Sequence, residues 1–318
     1  MIAHWDEVET YRREQGPLGA TWTDLGGAAG SIAVGLHRIQ LAPGEIPTPV
    51  HVHGDEEEIF YVLGGSGLSW QDARTYELRP HDCLVHRVSE AAHTLRGGRD
   101  GLDALAFGMR ARSPGGHLPR AGVTWMHPGW VDVPTGAHPW EREEAAGELV
   151  FPEPSPERPE TLVNLDDPRV PASTRDGTTV ARTRRALSRA AGAELTGLQH
   201  VVVPPGRLNA APHCHSAEEE LFVVLAGAGA LELSPALLDG EGAEPESHPV
   251  RTGHVVARPA GSGRAHVFRA GDDGLTLLAY GTKEPNDICY YPRSRKVYLR
   301  GVGLIARLEH LDYWDGED

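Results

Sequence analysis

Two stretches of this 318-residue chain decide its reading: TPVHVHGDEEEIFYVLGGSG at 48–67 and APHCHSAEEELFVVLAGAG at 211–229. Each holds two histidines one residue apart, a run of acids ending in three glutamates, an apolar run and then glycines. Either stretch alone fits a metal site or a strand edge that carries polar residues, because H-x-H is a common pattern. The register between them favours the metal site. His51 and His213 are 162 residues apart, as are His53 and His215, Glu58 and Glu220, and Gly65 and Gly227. Downstream, His93 and His266 are 173 apart, as are AFG at 106–108 and AYG at 279–281. A long internal repeat changes the fold before any element is assigned.

The 11 extra residues of the second copy fall in SPALLDGEGAEPESHP at 234–249, read as a loop, and the copies run over about 30–133 and about 193–300. Between them, FPEPSPERPETLVNLDDPRVPASTRDGTTVARTRR is rich in proline, charge and small polar residues, the composition of an exposed connector. The chain is therefore divided into an N-terminal unit over 1–150, a linker over 151–192 with a short strand at TLVNL, and a C-terminal unit with a tail over 193–318. Within each copy the apolar runs are short and bounded by glycine, proline and acids, as in a sandwich or closed barrel. Helix is expected only near 5–14 and over 184–191.

Composition bounds the function. A formal charge of −15 argues against a nucleic-acid or anionic-membrane surface, which needs clustered Lys and Arg. The one basic cluster, ARTRRALSR at 181–189, lies between the copies and reads as solvated linker. No apolar run reaches the length of a membrane span or a signal peptide, so the cytoplasm is the expected compartment. Cys83, Cys214 and Cys289 are too few and too widely spaced for a disulfide framework, and reduced thiols are expected.

In a strand, alternate side chains share a face, so His51 and His53 point together while Val52 points away, and His213 and His215 do the same around Cys214. Glu58 leads a run in which Phe60 and Val62 share its face; Glu220 leads the run through Phe222 and Val224. Of each acid run, only Glu58 and Glu220 have the spacing and parity of a ligand. One more inward histidine completes each set: His93 in EAAHTL and His266 in GRAHVF. Three imidazoles and a carboxylate, with positions left for water or substrate, suit a divalent ion such as Fe, Mn, Ni, Cu, Co or Zn, one per copy.

The pattern H-x-H, four residues, Glu, six residues, Gly in both stretches resembles the first motif of the cupin superfamily. GHVVARPAGSGRAH at 253–266 resembles the second motif, with a longer gap before His266. In the first copy, HDCLVHRVSEAAH at 81–93 departs from it: His81, Arg87 and Ser89 stand where Gly, Pro and Gly are expected. The resemblance implies a bicupin, an all-β protein of two tandem jelly-roll barrels with a short N-terminal helix, each barrel holding a metal on His51, His53, Glu58 and His93 or on His213, His215, Glu220 and His266.

A cupin fold hosts several reactions, so it does not name one. The first expectation is a metal-dependent dioxygenase acting on a small organic molecule, with Glu58 or Glu220 as ligand or, if displaced, as base. The second is an isomerase, hydrolase or lyase in which the ion is a Lewis acid. The third is a non-catalytic bicupin that binds a small ligand or metal. The second site has the better-formed distal motif and is followed by Asn286, Asp287, Tyr290, Tyr291 and Arg293, residues for a pocket mouth or for barrel packing. Arg264 reads as a surface ion pair, His86 as a hydrogen-bonded strand histidine with inward parity, and Cys214 as a buried thiol facing away from the ligands. A homodimer through edge strands is the expected assembly.

Overall fold

The structure, a computed structural model, describes residues 2–110, 115–126, 129–131, 137–235, 244–309 and 311–317. Among these, strands form two eight-stranded sheets and two four-stranded sheets, antiparallel throughout the strand pairs. The first large sheet runs Leu162–Asn164, Asp82–His86, Glu58–Gln71, His93–Met109, Val34–Leu41, Leu18–Asp24, Thr10–Gln15, with Arg74–Leu78 also on Glu58–Gln71. The second runs Ile2–His4, His254–Arg258, Glu220–Leu233, His266–Thr282, Thr196–Val203, Ala181–Arg185, Ala172–Asp176, with Glu246–Arg251 also on Glu220–Leu233. The order is the same in both. Each is faced by a small sheet that begins with the H-x-H strand, Val52–His53 in one and Cys214–His215 in the other. These are the two expected barrels.

Both faces of the central strands are buried, so they read as unbroken apolar runs. Phe60, Val62, Leu84 and Leu95 fill the first barrel, and Phe222, Val224, Leu231 and Phe268 the second. Residues of the opposite parity, Ile59, Tyr61 and Phe107 from one and Leu221, Val223 and Tyr280 from the other, form a third core between the barrels. Phe107 and Tyr280 meet there at 4.9 Å between ring centroids. The motif glycines have a steric cause. Gly65 and Gly227 sit at φ +79° and +81°, and a Cβ on either would come within 2.2 Å of a carbonyl oxygen, that of Gly101 or Gly274.

The repeat reaches further than the histidines indicate. The hairpin of Thr10–Gln15 and Leu18–Asp24 and that of Ala172–Asp176 and Ala181–Arg185 occupy the same place in their sheets. The short helices Leu25–Ala28 and Leu187–Ala190 follow them. The segment 151–192 is thus not a bare connector: its TLVNL strand pairs with the first barrel, and its hairpin belongs to the second. Reciprocally, Ile2–His4 pairs with His254–Arg258 of the second barrel. The helix expected near 5–14 is instead a turn and the strand Thr10–Gln15, because pairing to Leu18–Asp24 overrides the helical propensity of TYRREQ. The short N-terminal helix lies at Leu25–Ala28, capped by the Asp24 carboxylate on the Gly27 N–H. The loop expected over 234–249 lies partly outside the described residues, and its end enters the strand Glu246–Arg251.

The departures from the second motif do not abolish its turns. His81 and Ser89 take φ +69° and +55°, where Gly253 and Gly261 take +96° and +71° in the second copy. The residues with a Cβ accept the left-handed conformation at a cost of about 1–2 kcal/mol each.

Candidate metal centres

The first and last histidines of each set are cross-strand neighbours. His51 and His93 exchange backbone hydrogen bonds at 3.1 and 2.9 Å, and His213 and His266 do so at 3.3 and 2.9 Å. The H-x-H period places the second imidazole on the same face, and the strand that opens with the glutamate brings a carboxylate beneath all three. In the first barrel, Glu58 Oε2 is 3.9, 3.5 and 3.2 Å from Nε2 of His51, His53 and His93. In the second, Glu220 Oε2 is 3.6, 3.4 and 2.9 Å from Nε2 of His213, His215 and His266. All eight residues named from the sequence are therefore brought together as two sets of four.

The rings are aimed by their other nitrogens. His51 Nδ1 is 2.9 Å from the Pro49 carbonyl, His93 Nδ1 2.9 Å from that of Ala91, and His213 Nδ1 2.8 Å from that of Ala211. His53 Nδ1 meets Glu56 Oε1 at 2.6 Å, and His215 Nδ1 meets Asp287 Oδ2 at 2.7 Å. A proton fixed on Nδ1 leaves Nε2 as the inward lone pair, the arrangement that outer partners impose on metal-binding histidines. Nε2 of His53, His215 and His266 are buried and face the glutamate oxygens at 2.9–3.5 Å without a well-aligned hydrogen bond, and Glu220 Oε2 has no other partner. Such atoms are costly unless something else occupies the centre, so the donor set fits a divalent cation.

Without a cation the centres hold protons instead. Burial lowers His53, but Glu56 and Glu58 outweigh it and raise the imidazole to about 10. Burial likewise opposes the rise of His215 to about 9, driven by Glu220 and Asp287. His93 and His266, pressed down chiefly by burial, fall to about 4. Burial pushes Glu58 and Glu220 up, yet the surrounding imidazoles hold both carboxyls well below the ordinary range.

The surroundings of the two centres differ. Opposite Glu58 stands His86, which stacks on His93 at 3.6 Å with rings parallel to 3°; opposite Glu220 stands Arg258. His86 faces inward as its parity allows, but its buried Nε2 has no partner, so it is not the hydrogen-bonded strand residue expected. A cavity of about 800 Å³ opens on the second centre, with His213, His215 and Glu220 in its wall. Of the five residues named for a pocket mouth, Tyr291 alone lines it, stacked on His213 at 5.8 Å. Asp287 is buried and orients His215, Asn286 and Arg293 are exposed, and Tyr290 pairs with Cys214 on the face away from the ligands. Arg264 pairs with Glu246 as expected.

Three features escaped the sequence. Cys289 lies opposite His215 in the ladder, and its thiol joins His213 and His215 within 4.8 Å. The middle glutamates face the other barrel: Glu57 accepts from the N–H groups of Glu194 and Thr196 at 2.7 and 3.1 Å and from the Thr196 hydroxyl, and Glu219 accepts from those of Ile32 at 2.9 Å and Ala33. The basic cluster is not solvated linker, since Arg182 and Arg184 line the cavity. The missed signal is AAG-x4-GL, at 28–36 and again at 190–198, which carries the 162-residue register back into the supposed linker.

A cupin-domain family model matches residues 37–97. No curated protein sequence matches the chain. Among solved structures, a deletion mutant of Bacillus subtilis oxalate decarboxylase is 16% identical, with a TM-score of 0.58 over 88% of this chain and 76% of that one. The same enzyme, studied for its Mn(II) centres, is 14% identical at a TM-score of 0.56, over the same shares of the two chains. Vicilin from hazelnut, Corylus avellana, is 14% identical at a TM-score of 0.56, over 91% of this chain and 87% of that one.

Proposed function

From a chain that is a bicupin of the cupin superfamily, one barrel in each half, we propose a metal-dependent enzyme whose working centre lies in the second barrel. The reaction is an oxygen-using oxidation of dioxygenase type on a small organic substrate. The observation that carries this is the set of inward donor atoms, Nε2 of His213, His215 and His266 converging within 3.6 Å of Glu220 Oε2, beside a cavity of about 800 Å³. A pocket of that size suits a small molecule. A divalent ion held by His213, His215, His266 and Glu220 would keep coordination positions open for ligands from solution. The Mn(II) centres of the oxalate decarboxylase neighbour support a first-row ion. A bound ion of this kind supplies Lewis acidity and, if redox-active, electrons for O2.

The chain's own residues do the positioning. Asp287 holds the proton on His215 Nδ1, and the Ala211 carbonyl does the same for His213. Tyr291 lines the cavity beside His213, and burial, with the neighbouring Cys289 thiol, raises its phenol above the ordinary value, so it stays protonated there. Glu220 would help hold the ion, and its carboxylate is the nearest candidate base to the cavity. A second reading, Lewis-acid isomerase, hydrolase or lyase, draws on the cationic cavity wall, since carboxylates and phosphates are common substrates of such chemistry. A purely ligand-binding role leaves two complete donor sets without a chemical use.

Purified protein is expected to contain close to two equivalents of divalent transition metal, and His215→Ala close to one. Oxygen uptake with catechols, β-diketones or thiols, absent in His215→Ala, is the expected activity. Metal-free protein that takes up no ion defeats the reading; metal-replete protein silent toward O2 but active on a sugar acid replaces it with the second.

A further inference from the structure

The hairpin of Ala172–Asp176 and Ala181–Arg185 walls one side of the second cavity, and that wall is cationic. Arg175, Arg182 and Arg184 all line the cavity. Arg175 and Arg182 are directly opposite in the ladder, and Arg184, two residues on, shares their face. Like charges placed opposite one another destabilise a sheet. Among the described residues none of the three makes an ion pair, although the chain carries a net charge of −15. Arg182 donates one hydrogen bond, to the Asn209 carbonyl at 2.7 Å; its half-buried guanidinium is disfavoured by burial and by Arg184 and Arg175. On another strand of the wall, Lys296 lies 4.7 Å from the Tyr291 ring centroid.

The fold does not require these charges. The same hairpin in the first barrel carries Arg13, Ala20 and Trp22 at the corresponding positions, each 162 residues earlier, with Arg13 paired to Ala20. The repeat thus keeps the backbone and changes the face: a small apolar residue and an aromatic in one barrel, two arginines in the other. Guanidinium groups are suited to bidentate recognition of carboxylate and phosphate. We propose that Arg175, Arg182 and Arg184 form an oxyanion subsite, and that the substrate of the second barrel carries a carboxylate or phosphate at the end remote from its metal-binding end. This rests on the reading of the second barrel as the working centre. The cavity of about 800 Å³ has room for a molecule longer than a two-carbon diacid, so a longer oxyanion is the better occupant than oxalate.

The test is calorimetric titration of the purified protein at low salt with inorganic phosphate, oxalate and glutarate, in parallel with metal analysis. Phosphate or glutarate is expected to bind more tightly than oxalate and to weaken with added salt; which of the two is tighter separates a phosphorylated from a carboxylated substrate. Arg184→Gln, which removes no hydrogen bond of the fold, is expected to weaken that binding by about tenfold or more with metal content and thermal midpoint retained, and the double variant Arg182→Gln/Arg184→Gln to weaken it further with metal content retained. Arg13→Gln, the counterpart in the first barrel, is expected to leave it unchanged. Absence of millimolar binding in the wild type, or binding that survives both arginine variants, overturns the proposal. Arginine-dependent binding in a protein that takes up no metal upholds the subsite while removing the metal-centre reading.

Discussion

Three consecutive glutamates do three different things in each barrel. Glu58 and Glu220 enter the centres; Glu56 faces His53 Nδ1, and Glu218 pairs with Arg300 and lies 3.7 Å from His215 Nδ1. Glu57 and Glu219 brace the opposite barrel. Period-2 alternation singled out the glutamate that faces the histidines, but nothing local reveals a carboxylate whose partners are backbone N–H groups about 137 residues away. Glu57→Gln is expected to cost about 1–3 kcal/mol, read in denaturant unfolding, with metal content intact; an unchanged midpoint would show that the brace contributes nothing. The titration of the centres gives a second expectation, for chelated protein. His53 and His215 are raised above their ordinary 6.5, to about 10 and about 9, so the stability they add is complete below that value and is lost as pH rises through 9 to 10. Glu58 and Glu220 are depressed, so theirs is present above the ordinary carboxyl range and lost in acid. The thermal midpoint of chelated protein should fall between pH 7 and 10, and that of metal-loaded protein should not, because its imidazoles are already deprotonated. Parallel profiles would count against this assignment.

At the scale of the element, the decisive feature is the exchange of end strands. Each repeat begins with a short strand that pairs with the other barrel, Ile2–His4 on His254–Arg258 and Leu162–Asn164 on Asp82–His86, and only then builds its own hairpin. The exchange covers a sheet edge in both barrels, which would otherwise present unpaired backbone groups. Three-residue strands carry almost no periodic signal, and TYRREQ reads equally well as helix. The strand TLVNL was legible because five apolar-rich residues stand out in a polar connector; its partner in the sheet was not. Removing residues 1–8 should accelerate amide exchange at Val255 and Val256 in the second barrel and leave Leu84 and Val85 in the first protected. Uniform loss of protection would mean that the two barrels unfold as one unit instead.

At the scale of the molecule, the third core fixes the barrels face to face, and the exposed apolar residues gather elsewhere. Leu304 and Ile305 lie on the edge strand Leu304–Arg307 and are more than half exposed, with Val302 and Leu308 beside them. An apolar edge of this kind suits pairing between copies, and light scattering is expected to give a dimer mass; a monomer at micromolar concentration would retire that expectation. Among the described residues no helix is long and apolar enough to cross a membrane. The sequence by itself determined the duplicated β architecture and the eight residues that meet in two sets of four, because H-x-H parity, the spacing to Glu58 and Glu220 and the constant 162-residue register are local or periodic properties that survive in one dimension. Tertiary structure alone decided that an open cavity meets the second centre, that Asp287 and Cys289 face that centre, and that a supposed linker supplies its arginines. Those depend on strand pairings between segments distant in the chain, and pairing is decided by the packed whole rather than by any segment's own pattern.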